Sequence, residues 1–349
     1  MPKLMVDGIW RGDVAADAPL ASRVKRTASG AFRDRVTADG SSAFPAGPGR
    51  YHLYVSFACP FAHRAILARQ LKGLEDVVGM SVLHPTWNTP EGWVFGDTPH
   101  STPDRAGNGF THLHQAYTVS RPDYTGRITV PVLWDRETRS IVNNESAEIM
   151  RMLNDAFGGV GGDPSVDLRP EALRPAIDAL DARIARDLAA GVYAVGGAET
   201  QAAYDAAVAA VFGLLDELER RLADGRPFLH GDRVTTSDIL AFTPLVRFDA
   251  VYNPLFRASR RRLVDCPRLA AHVRRVHGLP GVAETVRFDH ILMHYHDGDW
   301  GVANRRGIVP ALPEVDFRAP ATRDPMGPAA ESPAHRGVAA CSRPAEILG

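Results

Sequence analysis

The chain has 349 residues, enough for two domains plus extensions, and its 45% hydrophobic content supports a full core. Its formal net charge of −1 argues against a nucleic-acid partner. No long apolar run opens the sequence, so neither a signal peptide nor a membrane span is expected, and three scattered cysteines (Cys59, Cys266 and Cys341) make no disulfide framework and point to the cytoplasm.

Residues 1–49 form an N-terminal extension with little periodicity, ending in a Gly/Pro/Ser-rich loop over 40–50. Residues 50–155 make a first domain: strand 51–56, helix 61–72, strand 77–83, a long loop over 84–126, strand 128–134 and helix 144–154. That order is the plan of an α/β thioredoxin-like domain. A Gly/Asp/Pro linker over 158–164 leads to an all-α domain over 165–315, whose longest helical run covers 202–222. Thr235 and Asp238 have the spacing of a capping box at the start of another helix, with Val234 and Ile239 as its hydrophobic staple. The Pro-, Ala- and Arg-rich tail over 318–349 is expected to be disordered.

The segment from Ser56 to Arg64 carries the strongest chemical signal. Cys59 stands between a strand and a helix whose first position is Pro60. A thiol there faces unpaired N–H groups and the positive helix end, which favours the thiolate. Ala62 occupies the place of a second cysteine in a Cys-x-x-Cys pair, so a resolving thiol must come from outside. His63 and Arg64 either add positive charge or serve local hydrogen bonding and packing. Pro131, within Thr129-Val130-Pro131-Val132, is either an ordinary edge proline or a cis-proline that turns Val130 toward a peptide-like ligand. Glu145 and Ser146 open a helix and suit an ammonium and a carboxylate, though such residues also serve as plain caps. Trp93 lies in the long loop as core or ligand lid, and Arg127 is a surface arginine or a carboxylate partner. Tyr193 and Tyr295 stand out in the helical half as proton donors to an aromatic ligand. His290 and His294 have chelating spacing, but no Glu follows His290, and no metal is expected.

Together these segments resemble the glutathionyl-hydroquinone reductases, the Xi class of the glutathione transferase superfamily. The likeness rests on Arg50-Tyr51-His52-Leu53-Tyr54-Val55-Ser56 leading into Cys59-Pro60-Phe61-Ala62-His63-Arg64, on Asn143-Asn144-Glu145-Ser146, on Gly281-Val282-Ala283-Glu284-Thr285-Val286 with Phe288-Asp289-His290-Ile291, and on Gly307-Ile308-Val309-Pro310. The chain departs from the family at Phe61, where tryptophan is usual, and at His296 in a string that tends to His-Tyr-Tyr. The resemblance implies a thioredoxin-like domain joined to an all-α glutathione-transferase domain, and a homodimer. It also implies a glutathione site of Trp93, Arg127, Val130, Pro131, Glu145 and Ser146. Cys59 would be the nucleophile, and Tyr193 and Tyr295 would contribute to a hydroquinone pocket. The expected activity is reduction of glutathionyl-hydroquinones through a Cys59 mixed disulfide, with glutathione as co-substrate. The alternatives are a transferase acting on other electrophiles or mixed disulfides, and a non-catalytic binding module of the same fold. Lysine occurs only at Lys3, Lys25 and Lys72, an arginine bias that hints at a high-GC bacterium. In an actinobacterium the thiol would be mycothiol.

Overall fold

The computed structural model describes residues 3–13, 31–87, 90–296, 310–313 and 317. The expected tail over 318–349, Cys341, and residues 307–309 of the last motif lie outside these. The N-terminal half is built on a four-stranded sheet. Its strands are β5 (Tyr51–Val55), β6 (Gly79–Val82), β8 (Val132–Asp135) and β9 (Ser140–Asn143), in the order β6-β5-β8-β9. β5 runs parallel to β6 and antiparallel to β8, and β8 pairs antiparallel with β9. Every residue of β5 is buried, as a central strand covered on both faces requires. Helix α1 (Pro60–Leu71) joins β5 to β6, and α3 (Ser146–Asp155) follows β9 and packs against α1.

The structure differs from the sequence expectations in three places. The long loop contains helix α2 (Leu113–Ser120), capped by His112 and Gln115. Histidine is a rare cap, so this start carries little signal. The strand expected over 128–134 begins only at Val132, because Pro131 follows a cis peptide bond and Val130 lies outside the sheet. Finally, the extension is not aperiodic. Strands β1 (Lys3–Val6) and β2 (Ile9–Asp13) pair through a turn at Asp7 and Gly8, both with positive φ. Asp-Gly between apolar residues is a hairpin signal. Gly8 is obligatory there, since a Cβ would sit 1.7 Å from the Pro122 carbonyl oxygen.

This hairpin supports the site. β1 pairs with β7 (Gly126–Arg127), setting Leu4 opposite Arg127. A second part of the extension includes β3 (Val36–Thr37), paired in parallel with β4 (Phe44–Pro45). Just before β3, Phe32 N–H donates to Asn144 Oδ1 and Asn143 Nδ2 donates to the Asp34 carbonyl.

The C-terminal half is helical. α4 (Arg174–Arg183) continues through a π-helical stretch (Ile184–Ala189) into α5 (Gly191–Gly196). α6 (Gln201–Arg221) is capped by Thr200, whose hydroxyl accepts from Ala203 N–H. α7 (Thr236–Leu245) begins at the expected capping box of Thr235 and Asp238 and is buried along its whole length. A second π-helical stretch (Phe248–Tyr252), α8 (Pro267–His277) and α9 (Phe288–His296) complete it. Cys266 is buried at the start of α8, and burial pushes its thiol up to about 11, so it stays a protonated core residue at neutral pH. Among the described residues, no helix is long and apolar enough to cross a membrane.

Candidate active site

Between the halves lies a cleft of about 430 Å³. Every residue predicted for the site lines it: Cys59, Trp93, Arg127, Val130, Pro131, Glu145, Ser146, Tyr193 and Tyr295.

Cys59 is the N-cap residue of α1, with extended backbone (φ −76, ψ 121). Its side chain is half-buried, and the sulfur lies 3.8 Å from the Val130 carbonyl oxygen across the cleft. The helix-end geometry expected from the sequence is therefore present, but the expected fall in thiol pKa is not. Burial pushes the Cys59 thiol up, and it outweighs the downward pull of the Ala62 and Phe61 N–H groups and the Arg247 and Arg64 guanidiniums. Desolvation acts on the full thiolate charge, whereas the helix end supplies only partial charges.

Arg64 is buried and donates from Nη1 to Ser146 Oγ at 3.2 Å, tying α1 to the start of α3. Its guanidinium stacks 4.7 Å above the Phe61 ring, so phenylalanine keeps an aromatic platform beside the sulfur. Glu145 caps α3 by accepting from Ala147 N–H, and Asn143 Oδ1 accepts from Glu145 N–H at 2.7 Å. Asn144 reaches Tyr117 Oη at 3.1 Å. Arg127 is exposed at the rim and has no ion-pair partner among the described residues.

Trp93 is buried and stacked rather than a free flap. Its ring lies 5.9 Å from that of His294 and 8° from parallel, with Trp87 stacked on both. His294 Nδ1 donates to the Pro85 carbonyl at 2.6 Å, which fixes the ring, and burial lowers its pKa to about 4. The imidazole is thus a neutral, flat part of the wall.

The tyrosines meet as a chain of hydroxyls. Tyr193 Oη lies 2.6 Å from Tyr295 Oη, and Tyr252 Oη lies 3.4 Å from Tyr295 Oη. Burial raises Tyr193 and Tyr295 well above the ordinary phenol value and raises Tyr252 as well. All three stay protonated donors at neutral pH. Tyr193 also stacks on Phe61 at 6.0 Å, beside the nucleophile. Tyr252 ends one π-helical stretch, and Tyr193 lies in α5, which follows the other.

Arg247 was not visible from the sequence motifs. It is fully buried and belongs to the helical half, yet it holds the nucleophile's loop. Its Nη2 donates to the Phe57 carbonyl at 2.8 Å and its Nε to the Ala58 carbonyl at 3.2 Å. Nη1 donates to the Thr243 carbonyl and to His63 Nδ1. His63 therefore carries its proton on Nε2, which donates to Thr285 Oγ1 at 2.8 Å, while Thr285 donates to the Val282 carbonyl. His63 is a neutral buried link rather than a source of charge, its pKa pushed well below the ordinary value by burial and by Arg247. The sequence signal for Arg247 is one guanidinium after a mostly apolar stretch, over 239–246, that only Thr243 interrupts. Tyr252 carried still less, whereas His294 was noticed only for its spacing from His290 and Asn144 only as part of the Asn143-Asn144-Glu145-Ser146 motif.

A strand-and-helix half and a helical half closing on one thiol cleft is the arrangement of a glutathione transferase. Known families agree: the glutathione S-transferase N-terminal domain matches residues 58–156 and the glutathione S-transferase C-terminal domain matches residues 201–275. The glutathionyl-hydroquinone reductase PcpF of Sphingobium chlorophenolicum is 42% identical over 310 residues, spanning 89% of this chain and 96% of its own length. The glutathionyl-hydroquinone reductase YqjG of Escherichia coli is 43% identical over 329 residues, spanning 92% and 98%; its glutathione-bound structure superposes with a TM-score of 0.81 at 40% identity over 91% of this chain and 98% of its own. A Xi-class transferase from Natrialba magadii superposes with a TM-score of 0.85 at 40% identity, covering 92% of this chain and 97% of its own. This chain belongs to the glutathionyl-hydroquinone reductases, the Xi class of the glutathione transferase superfamily.

Proposed function

We propose that this chain reduces glutathionyl-hydroquinones to hydroquinones, with glutathione as co-substrate. The observation that carries the reading is the convergence of Cys59, the polar turn at Glu145 and Ser146, and the tyrosine chain on one cleft. The Cys59 thiolate attacks the thioether sulfur of the substrate. An S–S bond forms between Cys59 and glutathione while the C–S bond breaks, and its electron pair passes to the ring carbon. That carbon takes a proton, most easily when the ring is in its keto form. Tyr193 or Tyr295 is the donor, and their shared hydrogen bond supplies a path to replace the proton. A second glutathione then attacks the mixed disulfide, which releases oxidised glutathione and restores Cys59. One protein sulfur suffices, which agrees with Ala62 in the second position.

In this reading Glu145 takes the ligand's ammonium and Ser146 its adjacent carboxylate at the N-terminus of α3. Arg127 takes the other carboxylate, Val130 pairs through its backbone beside Pro131, and Trp93 packs on the peptide. An ammonium subsite favours glutathione over mycothiol, which lacks the γ-glutamyl group. The extension over 1–49, the domains over 50–155 and 165–315, a homodimer and a cytoplasmic site of action complete the proposal. Cys59→Ala should abolish turnover of a glutathionyl-hydroquinone, and oxidised glutathione should add one glutathione to the wild type at Cys59 by mass spectrometry. Substantial reductase activity in Cys59→Ala would refute the scheme. Faster turnover with mycothiol than with glutathione would overturn the choice of thiol.

A further inference from the structure

One cluster of metal-binding groups takes no part in the proposed reaction. Its members are His100 from the loop before α2, and Asp289 and His290 from the first turn of α9. One ligand atom from each lies within 4.8 Å of the others. His100 Nδ1 is 3.5 Å and His290 Nε2 is 3.9 Å from Asp289 Oδ2. Ligands bound to zinc at about 2.0–2.1 Å in a tetrahedron stand roughly 3.3 Å apart, so small side-chain rotations bring these atoms to bonding positions. A third imidazole, His84, lies 6.1 Å from His100 between ring centres.

An independent observation comes from His290. It is only 1% exposed, and neither ring nitrogen has a hydrogen-bond partner among the described residues. His100 Nδ1 is likewise buried without one. Buried polar nitrogens are nearly always paired, because an unmade bond leaves the desolvation cost uncompensated. A bound cation would satisfy one nitrogen of His290 and the Nδ1 of His100. Phe57 packs edge-on against the His290 ring at 5.6 Å and shields it from water. The competing group is Arg287, which donates to both Asp289 oxygens at 3.0 and 2.6 Å. A cation must share Oδ2 with that guanidinium or displace it, so moderate affinity is expected.

We propose that His100, Asp289 and His290 form a binding site for a divalent transition-metal ion that pins α9 to the N-terminal half. Two imidazoles and a carboxylate suit zinc, with water or His84 in the fourth position. The residues differ from the His290 and His294 pair weighed in the sequence, since His294 Nδ1 is held by the Pro85 carbonyl. The role is structural. α9 carries His294 and Tyr295 into the cleft, so the ion would fix one wall of the pocket from the outside.

The test uses the full untagged chain as Cys59→Ser, so that the reactive sulfur cannot act as a ligand. After chelation and dialysis, zinc chloride is titrated by calorimetry and thermal unfolding is followed with and without it. One equivalent should bind and Tm should rise. His100→Ala, a change at a part-exposed position, should weaken binding by about tenfold or more. His290→Phe, which fills the buried space without a ligand atom, should do the same. Absence of binding up to millimolar zinc, or one equivalent bound equally well by both variants, overturns the proposal. Because Cys59 is replaced throughout, neither result depends on the thiol chemistry.

Discussion

The two walls of the cleft differ in kind. The N-terminal wall offers directional polar groups: a sulfur and two helix N-termini, the Val130 carbonyl, and the side chains of Glu145 and Ser146. The helical wall offers rings, Tyr193, His294 and Tyr295, which burial keeps uncharged at neutral pH. The first suits a ligand of fixed shape with charges at known places. The second suits a flat ring of variable pattern, and it retains protons that can be given to carbon. In the proposed reaction the constant thiol meets the first wall and the variable hydroquinone meets the second.

The comparison is tested most strongly by removing a proton donor while leaving the polar wall intact. Tyr193→Phe and Tyr295→Phe should each lower turnover of a glutathionyl-hydroquinone by about 10²-fold. Glutathionylation of Cys59 by oxidised glutathione, read by mass spectrometry over time, should stay near the wild-type rate. Equal losses in both assays would mean that the walls do not act separately.

Arg247 ties the walls together, and its loss should be felt in stability. Arg247→Met leaves the Phe57 and Ala58 carbonyls and His63 Nδ1 without their donor inside the protein. Unfolding in denaturant should show a loss of about 3 kcal/mol. Arg247→Lys, which keeps the charge but not the planar fork, should recover part of it. A loss under 1 kcal/mol in the Met variant would show that the loop holds its own shape.

How far the site was legible follows the same division. Cys59, Glu145 and Ser146 stand at helix N-termini, where a few adjacent residues determine the geometry, so local reading found them. Tyr193 and Tyr295 stand 102 positions apart and meet only through the fold, so the sequence offered them singly and the family resemblance set them in one pocket. Tyr252 and Arg247 were missed, and His294 was weighed only as a metal ligand, because each gains its place at the cleft from a distant contact. Nothing beside Arg247 in the sequence foretells the Phe57 carbonyl, 190 residues away. The β1–β2 hairpin is a different case. Its Asp7-Gly8 turn was present in the sequence and was passed over within a short, otherwise irregular stretch. The thiol pKa shows what local reading leaves out: the helix end was legible, but the burial that opposes it was not.

That opposition gives a pH prediction. With its pKa raised, Cys59 is mostly thiol at neutral pH, and the thiolate fraction rises with pH until the pKa is passed. Alkylation of Cys59 by iodoacetamide should therefore accelerate by nearly tenfold per pH unit above neutrality, with a midpoint at or above the ordinary thiol value of about 8.5. A midpoint below 7 would show that the helix end prevails over burial. Arg64→Met removes a nearby positive charge and should move the midpoint further up.

The smallest effect is expected at Ser146, and it asks which partner the hydroxyl serves. Its Oγ already accepts from Arg64 Nη1, whose neighbours Nε and Nη2 have no hydrogen-bond partner among the described residues. If Ser146 mainly holds the ligand carboxylate, Ser146→Ala should raise KM for glutathione about fivefold with kcat little changed, corresponding to roughly 1 kcal/mol of lost binding. If it mainly satisfies Arg64, KM should hold steady. The variant would then lose stability by a similar amount and show a shifted alkylation midpoint, because a buried guanidinium would have lost its remaining acceptor. The polar wall as described above requires the first outcome. The second would make Ser146 a support for Arg64 and leave ligand recognition at that turn to Glu145 and the backbone N–H groups of α3.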